Sequence, residues 1–134
     1  MDKPVSASTT IAINNIQETR SFYEALFEAK TVFDCGWYVV LRLGERDDQC
    51  EVCLMEPRDG IALYSGGSVI NLTYKNVDSI YEKIVSHDIT ITIPLEDHPW
   101  GDRGFGFMDP AGQMVYCLTP IKPDESFQQY YNSN

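Results

Sequence analysis

Residues Val69-Ile70-Asn71-Leu72-Thr73-Tyr74 alternate like a half-buried strand, and Asn76 then opens a run whose Val77, Ile80, Tyr81, Ile84 and Val85 fall on one helical face. The same strand-then-helix signature occurs earlier in the chain. Thr9, Ile11 and Ile13 share one face of Ser8–Asn14, Asn15 with Glu18 three positions on has the form of a capping box, and Phe22, Tyr23, Leu26 and Phe27 recur at helical spacing. This predicts a helix from about Ile16 to Glu28. The pairs Tyr23-Glu24 and Tyr81-Glu82 set the two copies about 58 residues apart, the mark of a duplicated unit of roughly 55 residues.

Each copy continues into three strand-like runs. After the first helix these are Lys30–Asp34, Trp37–Leu43 and Cys50–Met55, parted by Gly36 and by the polar turn Gly44-Glu45-Arg46-Asp47-Asp48. After the second they are Ile89–Ile93, Gly104–Met108 and Gln113–Leu118, the last entered through Gly112. The fold class read from this order is α+β, with two tandem βαβββ modules at about 8–57 and 68–119 inside a single domain, 1–134. Between them lies a linker, 58–67, with turn pairs Asp59-Gly60 and Gly66-Gly67 around a packing segment, Ile61-Ala62-Leu63-Tyr64. In the tail, 120–134, Phe127, Tyr130 and Tyr131 suit a short helix resting on the body or on a partner.

A chain of 134 residues, 43% of them hydrophobic, suffices for one core. Twenty acidic against ten basic side chains give a net charge of −10, which repels nucleic acid and anionic membrane and excludes both as expected partners. No apolar run approaches the roughly 18 residues of a membrane span. The first ten residues, with Asp2, Lys3 and Pro4, lack an apolar signal core, so the expected location is cytoplasmic. Cys35, Cys50, Cys53 and Cys117 are accordingly expected as free thiols.

The paired βαβββ order, Phe22-Tyr23 in the first helix, and Pro99-Trp100-Gly101 leading into Phe105-Gly106-Phe107-Met108-Asp109-Pro110-Ala111-Gly112 resemble the glyoxalase, bleomycin-resistance and extradiol-dioxygenase superfamily over about Ser8 to Pro120. The resemblance implies two curled mixed sheets facing each other around a ligand cup, formed within one chain or across two. It also implies, for metal-using members, four ligands on the first and last strands of each half, positions that fall here on Ser8, Cys53, Val69 and Tyr116. Valine carries no donor atom, and serine, thiol and phenol are poor company for a divalent metal, so neither a metal nor another cofactor is expected.

Several motifs offer two readings. Cys50-Glu51-Val52-Cys53 has redox spacing, but in a strand residues three apart point to opposite faces. Cys53 therefore either faces the cup or fills the core. Gly101-Asp102-Arg103-Gly104-Phe105-Gly106 lacks the strand-to-helix crossover of a dinucleotide loop. Trp37 and Trp100 offer flat indole faces to a planar or cationic ligand, or pack in the core. Alternation puts Asn71 and Thr73 with Val69, and Met114 and Leu118 with Tyr116, on the strand face expected to line the cup. Phe107 joins these as a candidate contact. Arg103 and Arg42 meet either an anionic group or a surface carboxylate, and His98 is either a general base or a solvated loop histidine.

The expected ligand-binding set is thus Trp37, Cys53, Asn71, Thr73, Trp100, Arg103, Phe107 and Tyr116, with no catalytic residue assigned. The expected function is metal-independent binding of a small organic molecule, of the antibiotic-sequestering kind, by a homodimer. The alternatives are a metal-dependent lyase or dioxygenase of the same superfamily and a non-catalytic interaction module.

Overall fold

In the computed structural model, which describes residues 2–132, the chain divides into two compact units, Met1–Gly66 and Gly67–Asn134. In the first, β1 (Thr10–Ala12) leads into α1 (Ile16–Phe27), followed by β2 (Lys30–Asp34), β3 (Tyr38–Arg42) and β4 (Glu51–Met55). Strand order is β1-β4-β3-β2, with β1 parallel to β4 and the other pairs antiparallel. The stripe read from the sequence gives Tyr23, Leu26 and Phe27 as the buried face of α1. Val39, Leu41 and Leu54, which share one face by register, are fully buried. Each such side chain contributes roughly 1.5–3 kcal/mol by leaving water. Asn15 precedes the helix, and its side-chain amide donates to the Glu18 carboxylate at 3.2 Å.

The second unit repeats the plan with β5 (Val69–Thr73), α2 (Val77–Val85), β6 (Ile93–His98), β7 (Asp102–Met108), β8 (Met114–Pro120) and a short α3 (Glu125–Gln128). Its order, β5-β8-β7-β6, matches the first sheet element for element, again with the first and last strands of the module parallel. Phe105, Phe107, Val115 and Cys117 make its fully buried layer; Phe105 stacks on Phe107 and meets Tyr81 of α2 edge-on at 5.0 Å. The first amide of α2, on Val77, donates to the Thr119 hydroxyl at 2.8 Å, so strand β8 supplies a cap for the helix.

The Asp109-Pro110-Ala111-Gly112 turn is held by one buried carboxylate. Asp109 Oδ1 accepts the backbone N–H groups of Ala111 and Gln113, both at 2.9 Å, and Gly112 supplies the positive φ of 85°. Gln113 then donates to Ser68 Oγ at 2.7 Å, tying the turn to the start of β5.

Strand boundaries differ from the sequence reading: β7 begins at Asp102 rather than Gly104, β8 runs on to Pro120, and the first and sixth strands shift most. The first strand is confined to Thr10–Ala12, and the strand expected at Ile89–Ile93 lies instead at Ile93–His98. Pro94 argues against a strand in the sequence, yet β6 is the outer strand of its sheet and its register with β7 shifts between Ile93 and Glu96, so no ladder bond is required of proline there. Of the segment 58–67, residues 58–66 lie in the first unit, where the Tyr64 N–H donates to the Ala12 carbonyl at 2.8 Å. No helix among the described residues is long and apolar enough to cross a membrane.

Candidate functional site

Each sheet has a helix on one face, and in the second unit the other face carries the polar chemistry. Register aligns Val69 with Met114, Asn71 with Tyr116, and Thr73 with Leu118, so these six residues share that face. Across β7 the same face continues through Gly106, opposite Tyr116, and Gly104, opposite Leu118. Val69, Asn71 and Thr73 are exposed on it.

Tyr116 does not stand straight off the sheet. Its phenol lies over Gly104, where an added Cβ would come within 2.5 Å of the hydroxyl and 2.6 Å of Cζ. It thereby reaches the closed end of the β6–β7 hairpin, where His98 pairs with Asp102. Asp102 Oδ1 lies 2.7 Å from His98 Nδ1 and 3.0 Å from the Tyr116 hydroxyl, which is itself 3.3 Å from Nδ1. A carboxylate only accepts, so imidazole and phenol both donate to it. This tautomer leaves Nε2 as the second functional atom of the ring, 3.9 Å from Glu96 Oε2. Burial, and after it the bond to Asp102, raises the pKa of the Tyr116 phenol and keeps it protonated.

Trp100, in the hairpin turn, lies flat against His98, the ring centroids 4.5 Å apart and the planes 2° from parallel, while 46% of the residue stays exposed. The cluster thus combines an indole, an imidazole held by a carboxylate, a neutral phenol and a nearby second carboxylate. It can stack on a planar group, and it offers hydrogen-bond acceptors and a base.

Of the residues singled out in the sequence, Asn71, Thr73 and Tyr116 come together on one face, with Trp100 at the hairpin stacked on His98, which the Tyr116 phenol reaches. Arg103 and Phe107 do not join them. Phe107 pairs with Val115 on the helix-facing side and is fully buried there. Arg103, opposite Thr119 on that side, holds Asp78 of α2 through Nη2 at 2.8 Å and Nε at 3.0 Å, and Asp97 at 3.1 Å. Trp37 and Cys53 belong to the first unit. The Arg58 guanidinium covers the Trp37 ring at 3.8 Å from its centroid. Cys53 is 3% exposed, and all four cysteines are free. Arg42 stands opposite Glu51 in the β3–β4 register.

His98 ends a strand rather than sitting in a loop, and Asp102 opposite it carries no motif of its own. The signal that locates them is hairpin register: once β6 is taken to end at His98, the turn Pro99-Trp100-Gly101 places Asp102 opposite it.

The four positions that the resemblance assigns to metal ligands carry mismatched donor chemistry. Ser8 is exposed, Cys53 is a buried thiol, Val69 has no donor, and the Tyr116 phenol is a protonated donor to Asp102. This set does not fit a divalent metal. Among the described residues no three His, Cys, Asp or Glu side chains form an alternative group.

A model of the glyoxalase-like domain matches residues 7–121. Among solved structures, the chain is similar to a glyoxalase/bleomycin resistance protein/dioxygenase superfamily member from Sphaerobacter thermophilus, with 24% identity, 83% of this chain and 93% of that one covered, and a TM-score of 0.68. It is also similar to lactoylglutathione lyase from Agrobacterium tumefaciens, with 20% identity, coverage of 87% and 96%, and a TM-score of 0.69. A glyoxalase/bleomycin resistance protein/dioxygenase from Nocardioides gives 12% identity, coverage of 91% and 87%, and a TM-score of 0.72. At such identities the likeness is one of fold. No curated protein matches the chain. Because the matched span takes in both βαβββ units from before β1 to beyond β8, the chain belongs to the glyoxalase-like domain family.

Proposed function

We propose that this protein binds a small organic molecule without a metal, on the face of the second sheet that carries Asn71, Thr73 and Tyr116, with Trp100 as its aromatic wall. The observation that carries the reading is Tyr116: the position the family resemblance gives to a metal ligand holds a protonated phenol already committed to Asp102. Carboxylates at Glu96 and Asp102 beside an indole suit a positively charged aromatic or amine-bearing molecule, and the net charge of −10 raises the local concentration of such ligands. An antibiotic-sequestering role follows from that preference.

Elemental analysis and native mass spectrometry of protein purified without chelator or affinity-tag metal form the first test. Metal-free protein that quenches its tryptophan emission on titration with metal-free bleomycin supports the reading; stoichiometric Zn, Ni, Mn or Fe overturns it. Trp100→Ala should weaken that binding while leaving the fold intact, and equal affinity in both forms removes Trp100 from the site.

The His98–Asp102 pair favours a second reading, an acid–base enzyme acting on the bound molecule. An imidazole with Nδ1–H held by a carboxylate presents Nε2 as the base. Turnover of a bound ligand that His98→Gln abolishes, with affinity retained, would establish it over simple sequestration.

A further inference from the structure

We infer that the C-terminal segment from Ile121 to Tyr131 is a working part of this site, a strap that holds Trp100 flat on His98 and so positions the imidazole against Asp102 and Tyr116. The inference rests on the reading of this face as a binding surface. After β8 the chain turns back across the β6–β7 hairpin, and three successive carbonyls of the turn accept from it. The Asp124 N–H donates to the Pro99 carbonyl at 2.8 Å, the Tyr131 hydroxyl to that of Trp100, and the Ile121 N–H to that of Gly101 at 3.0 Å. A four-residue helix such as α3 has no stability of its own. The order of this segment therefore comes from the turn it grips, with Asp124 capping α3 through Ser126.

The grip also constrains Trp100 sideways. Phe127 meets the indole edge-on at 6.3 Å, and Tyr130 backs Phe127 at 6.0 Å. The indole thus has His98 against one face and Phe127 near its ring, with its remaining surface open. Gly101 records how closely the strap approaches. Its φ is +119°, and a Cβ there would lie 2.9 Å from the Tyr131 hydroxyl and 3.3 Å from the Ile121 carbonyl oxygen. The positive φ by itself favours glycine at that point, and the strap closes the space a Cβ would fill.

A chain carrying Trp37→Phe keeps Trp100 as its only tryptophan, since the sequence has two. In that background, Phe127→Ala, Tyr131→Phe and a truncation ending at Lys122 are compared with the full chain. Three quantities are read: acrylamide quenching of Trp100, thermal unfolding, and affinity for metal-free bleomycin. The expected result is increased quenching and a loss of affinity of roughly tenfold on truncation, in the range of one lost anchor contact, with smaller effects of the point variants and a retained cooperative unfolding transition. Quenching that is the same in all four proteins overturns the strap. Freed Trp100 with unchanged affinity overturns its part in binding. If the full chain itself does not bind the probe, the ligand reading fails, and quenching alone still decides whether the strap holds Trp100. Should the truncation not fold, the two point variants carry the test.

Discussion

The two units share a strand order yet resolve the same packing problem in opposite ways. In the first, the large aromatic stands on β3: the Tyr38 phenol crosses β4, which holds Cys53, to meet the Thr10 hydroxyl on β1 at 2.6 Å. In the second, the corresponding place on β7 is Gly104, and the aromatic stands on β8 as Tyr116, reaching outward to Asp102 and His98. The turns of the equivalent hairpins differ in the same spirit. Trp37 follows the β2–β3 turn and has a guanidinium of its own unit over its ring, whereas Trp100 lies on an imidazole; both indoles stay partly open. A duplicated scaffold thus carries one closed polar pair and one cluster with groups to spare, and exchanging one large–small pair of positions accounts for much of the difference.

The largest expected effect comes from undoing that exchange. Gly104→Ala brings a methyl within 2.5 Å of the Tyr116 hydroxyl and 2.8 Å of the Cys117 carbonyl oxygen; the side chain can swing away but the backbone cannot. Overpacking of this kind costs about 1–3 kcal/mol. Urea unfolding should show the loss, and because Tyr116 must leave Asp102, ligand affinity should fall with it. A substitution that leaves both unchanged would break the comparison at its centre.

Next is the phenol itself. Tyr116→Phe removes a donor from Asp102 while the imidazole still supplies one, a loss of about 1 kcal/mol. The alkaline side sharpens this. Burial raises the Tyr116 phenol above its ordinary 10.0 and pushes the Cys117 thiol from 9.0 up to about 12. The folded state therefore keeps protons that the unfolded chain releases. The stability linked to these groups is intact below pH 9.0 and drains away as pH rises toward 12. Urea unfolding at a series of pH values from neutral upward should show this decline, less steep in Tyr116→Phe; an identical slope would show that the phenol does not retain its proton in the folded state.

The repeated strand-and-helix pattern was legible in the sequence because it rests on local periodicity, and so was the shared face of Asn71, Thr73 and Tyr116, which follows from period two once β5 and β8 are placed. The His98–Asp102–Tyr116 contacts were not, for two physical reasons. The β-rich run Ile89–Ile93 carries the local strand signal while β6 lies at Ile93–His98, and the hairpin register depends on where that strand ends. The need for glycine at position 104 is set by a side chain twelve residues away, which no local pattern encodes. Phe107 shows the converse: Gly104 and Gly106 alternate with Phe105 and Phe107, so the glycines mark the Tyr116 face and the phenylalanines the helix-facing layer. Arg103 finds Asp78 across twenty-five residues of chain, again a tertiary pairing.

The smallest expected effect concerns the arginines that join helix to sheet in each unit, where the direction is also reversed. Arg20 projects from α1 to Asp34 at 2.8 Å, whereas Arg103 projects from β7 to Asp78 on α2. Both pairs are partly open to solvent, so screening takes most of their Coulomb energy. Arg103→Gln should lower the melting temperature by no more than roughly 3 °C, with the difference shrinking in high salt. The hydrogen bond from Arg103 holds the Asp78 carboxyl below its ordinary 3.8. Its contribution is therefore present above pH 3.8 and is lost as pH falls through the depressed value, so wild type and variant should converge in acid. A larger gap that persists in both salt and acid would mean that Arg103 holds α2 by packing its stem rather than by charge, and would set it apart from Arg20.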